Sequence, residues 1–193
     1  MQYKQLALAA AMALTASARP SSHVHHPHPH VAEEKRQSDT FLINVLNNCS
    51  ESKHIALFQI TSSFTVNQLS DPTEVDAGCL HNISAPYQES GMRVSAHAEW
   101  GTAGQWLPQA LAEFGFSSYS GTHGTAYDNS VMGGSDFGVG IYPANEECES
   151  KTCLLDDCPL DQGWTNEDQT ANGSPADTVC YHGVTDFKVV FCP

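Results

Sequence analysis

The stretch Tyr127–Pro143 reads YDNSVMGGSDFGVGIYP, and it follows the short motif LAEF at Leu111–Phe114. Apolar residues alternate here with glycines and polar residues, which is typical of short β-strands. The adjacent glycines Gly133–Gly134 are the residue type that a tight turn between strands requires. The sequence therefore predicts two short strands that turn at Gly133–Gly134 and place the carboxylates Glu113 and Asp128 on one rim, as a candidate binding cleft.

Other segments alternate in the same way. They are FLINVL (Phe41–Leu46), HIALFQI (His54–Ile60), FTVNQ (Phe64–Gln68), MRVSAHAEW (Met92–Trp100) and TDFKVVF (Thr185–Phe191). Short alternating strands separated by turn residues are typical of an antiparallel β-sandwich. We therefore predict an all-β fold in which the last strand lies beside Phe41–Leu46. The spacing of Leu111 and Phe114 predicts one short helix at Pro108–Phe114.

The amino-terminal residues are expected to lie outside the folded domain. Residues 1–18 combine a basic residue, an apolar run and a small-residue ending at Ala18, which is typical of a secretory signal peptide. Residues 19–36 are rich in His and Pro and end in the basic pair Lys35–Arg36, so we predict a disordered propeptide that is cleaved after this pair. The folded domain is then residues 37–193, and the His tract is not expected to form a metal site because it leaves with the propeptide.

The composition is acidic: 22 Asp and Glu residues against 8 Lys and Arg give a formal net charge of −14. Nucleic acids and anionic membranes are poor partners for such a chain. The apolar run near the amino terminus is too short to span a bilayer, so no membrane insertion is expected. The charge favours a soluble monomer whose partners are neutral or cationic, such as polysaccharides or a basic protein surface.

The chain contains seven cysteines. In a secreted, extracellular protein they predict disulfides, and the odd number predicts one unpaired thiol. Their connectivity is not determined by the sequence alone. Secretion also makes the N-x-Ser sequons at Asn48, Asn82 and Asn172 candidate glycosylation sites, although Asn48 is a poor one because Cys49 follows it.

Several of these motifs occur in an order known from one protein family. FLINVLNNCS (Phe41–Ser50) opens the domain, LAEF and YDNSVMGGSDFGV follow, and a cysteine cluster leads to TVCYHGVTDFKVVFCP (Thr178–Pro193). This order resembles the thaumatin-like proteins, and the low cysteine count and the leader are similar to the small conidial members that filamentous fungi secrete. The resemblance implies a thaumatin-like antiparallel β-sandwich in which a short disulfide-stapled loop at Asn145–Pro159 replaces the larger second subdomain.

The resemblance also implies a disulfide pattern. Carried over residue by residue, it gives three bonds: Cys49 with Cys192, Cys148 with Cys180, and Cys153 with Cys158. Cys79 has no counterpart, so we expect it to be the unpaired thiol, partly buried and unreactive.

Two acids of a cleft are expected from the resemblance. Glu113 matches the Glu of the family's LAEF motif, and Asp128 matches the first Asp of its second motif. Glycosidases need two carboxyl groups about 5 Å apart for retention or up to about 9 Å apart for inversion. Glu113 is then the candidate acid and Asp128 the candidate nucleophile or base. Alternatively, Glu113 accepts backbone hydrogen bonds and Asp128 holds the Gly133–Gly134 turn.

The other cleft residues of the family are only partly matched. Gln105 stands where the family has an Arg. Gly133 stands at its second Asp, with Asp136 displaced nearby. The remaining acid is expected at Asp168 or Asp177. With fewer like charges in the cleft, a raised carboxyl pKa is harder to obtain, so we expect hydrolysis to be weak or absent.

Aromatic rings can stack on the apolar faces of sugars. The candidates are Trp100, Trp106, Tyr119, Tyr127 and Phe137. Trp106 lies in a predicted loop and is the best exposed candidate, whereas Phe137 is expected in the core. The residues expected to contact a substrate are Gln105, Trp106, Tyr127 and Asp136.

Three functions are consistent with these features. The resemblance implies binding or remodelling of β-glucan in the fungal cell wall during conidial germination. The alternatives are a weak endo-β-1,3-glucanase that uses Glu113 and Asp128, and a surface protein that recognises another protein, such as a host receptor. No cofactor or metal is expected, because the sequence has no phosphate-binding glycine loop and its histidines after residue 36 lack metal-ligand spacing.

Overall fold

A computed structural model describes residues 39–172 and 174–193. The predicted signal peptide ending at Ala18 and the predicted propeptide ending at Lys35 and Arg36 lie outside the described residues. Most regular structure within them is β-strand: β1 (Thr40–Asn47), β2 (Lys53–Ile60), β3 (Val66–Gln68), β4 (Thr73–Val75), β5 (Leu80–Pro86), β6 (Met92–Ser95), β7 (Leu111–Tyr119), β8 (Thr122–Ser130), β9 (Val139–Pro143), β10 (Lys151–Cys153), β11 (Thr178–Cys180) and β12 (Phe187–Phe191). The short 3₁₀ helices span Ala98–Trp100, Ala103–Trp106 and Glu167–Asn172.

The strands form two sheets. One has five strands in the order β10-β9-β12-β1-β5, and the other has seven, in the order β11-β8-β7-β6-β2-β3 with β4 beside β2. Neighbouring strands are antiparallel, except that β1 and β12 are parallel, with Ile43 opposite Phe187 and Asn47 opposite Phe191. This pairing confirms the prediction that the closing strand lies beside the first.

The hydrophobic core lies between the sheets, so the predicted all-β sandwich is confirmed. Phe41 of the five-stranded sheet lies 5.8 Å from Phe114 of the seven-stranded sheet, and Phe187 lies 5.1 Å from Tyr127, measured between ring centroids. Burying a side chain of this size stabilises the fold by about 2 to 3 kcal/mol. Alternate residues of each strand supply this core, which leaves the residues between them on the outer faces.

The three predicted disulfides are confirmed. They are Cys49–Cys192, Cys148–Cys180 and Cys153–Cys158. Cys79 is unpaired, as expected, but the prediction that it is partly buried is wrong: it is exposed, just before edge strand β5. Cys79 ends a tight turn, in which its backbone N–H donates to the carbonyl of Asp76.

The helix predicted at Pro108–Phe114 is wrong. Its second half belongs to β7, which is hydrogen-bonded along both edges, by β6 and by β8. The three-residue spacing of Leu111 and Phe114 fits one face of a helix. In the structure, Ala112 and Phe114 instead alternate into the core of a sheet, because tertiary pairing outweighs a short local pattern.

The turn predicted at Gly133–Gly134 is partly right. Both glycines have positive φ, 82° and 106°, and the segment after them forms β9. However, β8 ends at Ser130 in the seven-stranded sheet, whereas β9 lies in the five-stranded sheet. The loop therefore crosses between the sheets and does not close a hairpin.

Candidate functional site

Four charged residues lie side by side on the outer face of the seven-stranded sheet. Arg93 on β6 is opposite Glu113 on β7, which is opposite Asp128 on β8. Asp177 directly precedes Thr178, whose partner on β8 is Tyr127, so Asp177 lies beside Asp128. Neighbouring strands are about 4.8 Å apart, so this charged row (Arg93, Glu113, Asp128 and Asp177) brings four ionisable groups close together.

An ion pair joins the first two members of the charged row. Nη2 of Arg93 lies 2.7 Å from Oε1 of Glu113, and the two side chains are only 16% and 24% exposed. Nη1 of Arg93 also donates to the carbonyl oxygen of Gln105 at 3.2 Å. Gln105 carries no charge, and the cation of the charged row is Arg93 on β6.

Burial changes the acidity of the two central carboxyl groups. It raises the pKa of Glu113, the charge of Asp177 adds to this effect, and the guanidinium of Arg93 opposes it. The pKa of Asp128 is raised well above its ordinary range by burial and by the charges of Glu113 and Asp177. Oδ1 of Asp128 is buried and has no hydrogen-bond partner among the described residues. The expectation that a raised pKa is hard to obtain here is wrong, because burial supplies it.

The third acid of the row is Asp177, one of the two expected candidates. Its Oδ1 accepts a hydrogen bond from Nε1 of Trp164 at 2.7 Å, which holds the carboxylate at the start of β11. The other candidate, Asp168, lies exposed in the 3₁₀ helix Glu167–Asn172. Of the two candidates for the remaining acid, Asp177 and not Asp168 therefore lies with Glu113 and Asp128.

A cavity of about 480 Å³ opens beside the charged row. Three acids line it, Glu113, Asp128 and Asp177, and it continues past them over small residues. Because the cavity is open to solvent and acidic, it suits a neutral or cationic ligand that donates hydrogen bonds.

Gln105 and Trp106 lie beside this cavity and do not line it. Gln105 is 1% exposed, and its side-chain amide donates to the carbonyl of Gly101, so the predicted substrate contact through this side chain is wrong. Trp106 is 54% exposed, as predicted, and its ring centroid lies 5.9 Å from the guanidinium carbon of Arg93. Trp106 is therefore connected to the cleft only indirectly, through the ion pair of Arg93 with Glu113.

Tyr127 and Asp136 are also placed differently from the prediction. Tyr127 is 1% exposed, and its hydroxyl donates to the carbonyl of Glu149. Successive residues on a strand face opposite sides, so Tyr127 must enter the core when Asp128 faces the cleft. Asp136 lies 3.2 Å from Nε2 of His97, away from the cavity, because the loop between the sheets carries it there.

Two of the predicted glycosylation sequons lie on the surface. Asn82 is exposed on edge strand β5, and Asn48 is also exposed, but its side-chain amide donates to the carbonyl of Cys192 at 2.7 Å. The side chain of Asn172 lies outside the described part of the chain. Among the described residues there is no cluster of three metal-ligating side chains and no helix with the length and apolar character of a membrane span.

Comparisons with known proteins support the fold. No family model matches the chain, and no curated protein matches it. A solved structure that does match is that of the protein elicitor MoHrip2 from Magnaporthe oryzae. It has a TM-score of 0.52 and 17% sequence identity, over 79% of this chain and 99% of that chain. At this identity the likeness concerns the fold alone.

Proposed function

We propose that this chain is a secreted thaumatin-like protein that binds a neutral polysaccharide of the fungal cell wall, of the β-1,3-glucan class, through the cavity beside the charged row. The motif order and the disulfide pattern support the family. Three disulfides are compatible with an oxidising, extracellular environment. The resemblance to the small conidial members of that family supports an activity at the wall during conidial germination.

The observation that supports glucan binding most strongly is the position of three acids at one open cavity. Carboxylates accept hydrogen bonds from sugar hydroxyls, and the buried Oδ1 of Asp128 would gain the donor that it lacks within the described residues. An anionic polymer would be repelled by the same acids. A neutral polysaccharide therefore suits the cavity better than an anionic one.

Sedimentation with insoluble β-1,3-glucan tests this proposal. Wild-type protein should sediment with the glucan, and Asp128→Asn and Glu113→Gln should each weaken the association several-fold. Glu74→Gln is the matched control, because it removes one exposed acid from β4, outside the cavity. Equal binding by all four proteins would contradict a role for the charged row.

Hydrolysis is a second candidate function, supported by the pairing of Glu113 with Asp128. Directly opposed residues on antiparallel strands have Cβ atoms about 5 Å apart, which is close to the carboxyl separation in retaining glycosidases. Arg93 favours the charged form of Glu113, and burial favours the protonated form of Asp128. Asp128 is then the better acid and Glu113 the better nucleophile, the reverse of the roles expected from the sequence.

A reducing-end assay separates these candidates. If the wild type releases reducing ends from β-1,3-glucan and Asp128→Asn stops the release without stopping sedimentation, the protein is a glucanase. Binding without any release supports a binding protein. Wild-type protein that neither binds nor cleaves wall glucan would favour recognition of another protein.

A further inference from the structure

Beyond the charged row, the cavity continues over a floor of small side chains. A step of two residues from each member of the charged row reaches four residues that line the same cavity. They are Gly91, Gly115, Ala126 and Val179. The pairing registers place Gly115 opposite Ala126 and Ala126 opposite Val179. Side chains repeat on one face every second residue, so this floor is a direct extension of the charged row.

Tyr181 lies just past the end of this floor, outside the cavity lining and two residues beyond Val179. Its hydroxyl is 3.1 Å from Oγ of Ser117 on β7, although Tyr181 itself follows β11, on the other side of β8. Ser117 is opposite Gly124 on β8, so the Tyr181 ring crosses the sheet above Gly124. A Cβ at position 124 would lie 2.8 Å from Cα of Tyr181 and closer still to the carbonyl of Cys180, so glycine is needed there.

We propose that Tyr181 forms a second subsite, on which a sugar ring of the glucan chain stacks while another part of the chain contacts Glu113 and Asp128. This inference rests on the proposed function. Asp128 and Gly124 are four residues apart on one strand, so the subsite lies about 13 Å from the acids, roughly two or three sugar units along the chain. A linear oligosaccharide that spans the floor would reach both.

The Tyr181 ring is suited to stacking because it is held at both ends. Ser117 anchors its hydroxyl, and the adjacent Cys180 is fixed by its disulfide to Cys148. The side chain is nevertheless 37% exposed, so ring surface remains available. An aromatic ring that is fixed before binding loses little conformational entropy when a pyranose packs on it.

Affinity as a function of chain length tests the subsite, measured by calorimetry with β-1,3-gluco-oligosaccharides from the disaccharide to the heptasaccharide. Wild-type affinity should rise with length. Tyr181→Ala should bind the heptasaccharide about tenfold more weakly and the disaccharide unchanged. Tyr181→Phe keeps the ring and should retain most of the affinity. Phe64→Ala is the control, because Phe64 is 77% exposed in the turn between β2 and β3, at the opposite edge of the seven-stranded sheet from β11.

A chemical measurement on the wild-type protein does not depend on the folding of any variant. Nitration of Tyr181, followed by mass spectrometry, should be slowed by the heptasaccharide and not by the disaccharide. If the wild type binds the heptasaccharide but Tyr181→Ala binds it equally well, or Tyr181 stays unprotected, the subsite is wrong and the proposed function stands. If the wild type binds no oligosaccharide and does not sediment with β-1,3-glucan, the proposed function and the subsite are both wrong.

Discussion

Arg93 and Glu113 are cross-strand partners whose charged groups meet at 2.7 Å on the outer face of the sheet. The ion pair affects the two carboxyl groups of the cleft differently. It favours the ionised form of Glu113, whereas Asp128 has no cation partner among the described ion pairs. Two neighbouring carboxyl groups thus have different environments, which is the condition for different chemical roles.

Replacing Arg93 should destabilise the folded protein, because the carboxyl group of Glu113 is then buried without its ion-pair partner. We expect Arg93→Met to lower the free energy of unfolding by about 2 to 3 kcal/mol at neutral pH, because the buried carboxyl group of Glu113 loses its partner and must either stay charged and unpaired or take up a proton. The double variant Arg93→Met/Glu113→Gln should recover most of this loss in urea denaturation. Strictly additive effects of the two substitutions would show that the pair is not coupled.

Asp128 should make the protein less stable at neutral pH than at acidic pH. Its pKa is raised in the folded state, so the folded protein holds the proton more tightly than the unfolded chain. The resulting stabilisation is complete below the unfolded pKa and is lost as pH rises through the folded pKa. Asp128→Asn should therefore stabilise the protein at neutral pH, by about 1 kcal/mol, and this gain should disappear on acidification. Urea titrations across this pH range provide the measurement, and a gain that persists at acidic pH would contradict the assignment.

The two disulfides that close the longest and shortest loops should contribute unequally. Cys49–Cys192 spans 143 residues of sequence and Cys153–Cys158 spans 5. Loop-closure entropy predicts a loss of about 5 kcal/mol when the first is replaced by two alanines and about 2 kcal/mol for the second. Denaturation midpoints of the two variants test this order, and equal losses would show that entropy of the unfolded chain is not the main term.

Cys79 should react in the folded protein, since it is exposed. We expect one thiol per chain to be titrated by an aromatic disulfide reagent without denaturant. Cys79→Ser should remove that reactivity and change stability by less than about 0.5 kcal/mol. Absence of reaction in the native wild type would show that the thiol is shielded or paired between chains.

Local patterns in the sequence were sufficient for β1, β2 and β12 and, with the resemblance, for the disulfides, but they missed β4, β5 and β10. They failed at Pro108–Phe114, where a strand and a helix share the same few apolar residues and only pairing with β6 and β8 decides between them. Tyr127 could have been placed correctly, because a strand that turns Asp128 outward must turn its neighbour inward.

The cation of the charged row was harder to find. Arg93 and Glu113 are far apart in the chain, and their contact depends on the register between β6 and β7. No short motif encodes that register. Tyr181 was missed for a similar reason, since its position above Gly124 follows from how β11 pairs with β8.

Strand β12 lies in the middle of the five-stranded sheet, between β9 and β1, yet it is formed by residues 187–191. During synthesis β1 and β5 are made long before β12. One edge of β1 therefore stays unpaired until β12 is made. Unpaired strand edges are sites of aggregation in partly made chains. That edge of β1 therefore stays open to wrong pairing until β12 is made, and translation that stops before residue 187 yields a product that cannot complete the sheet.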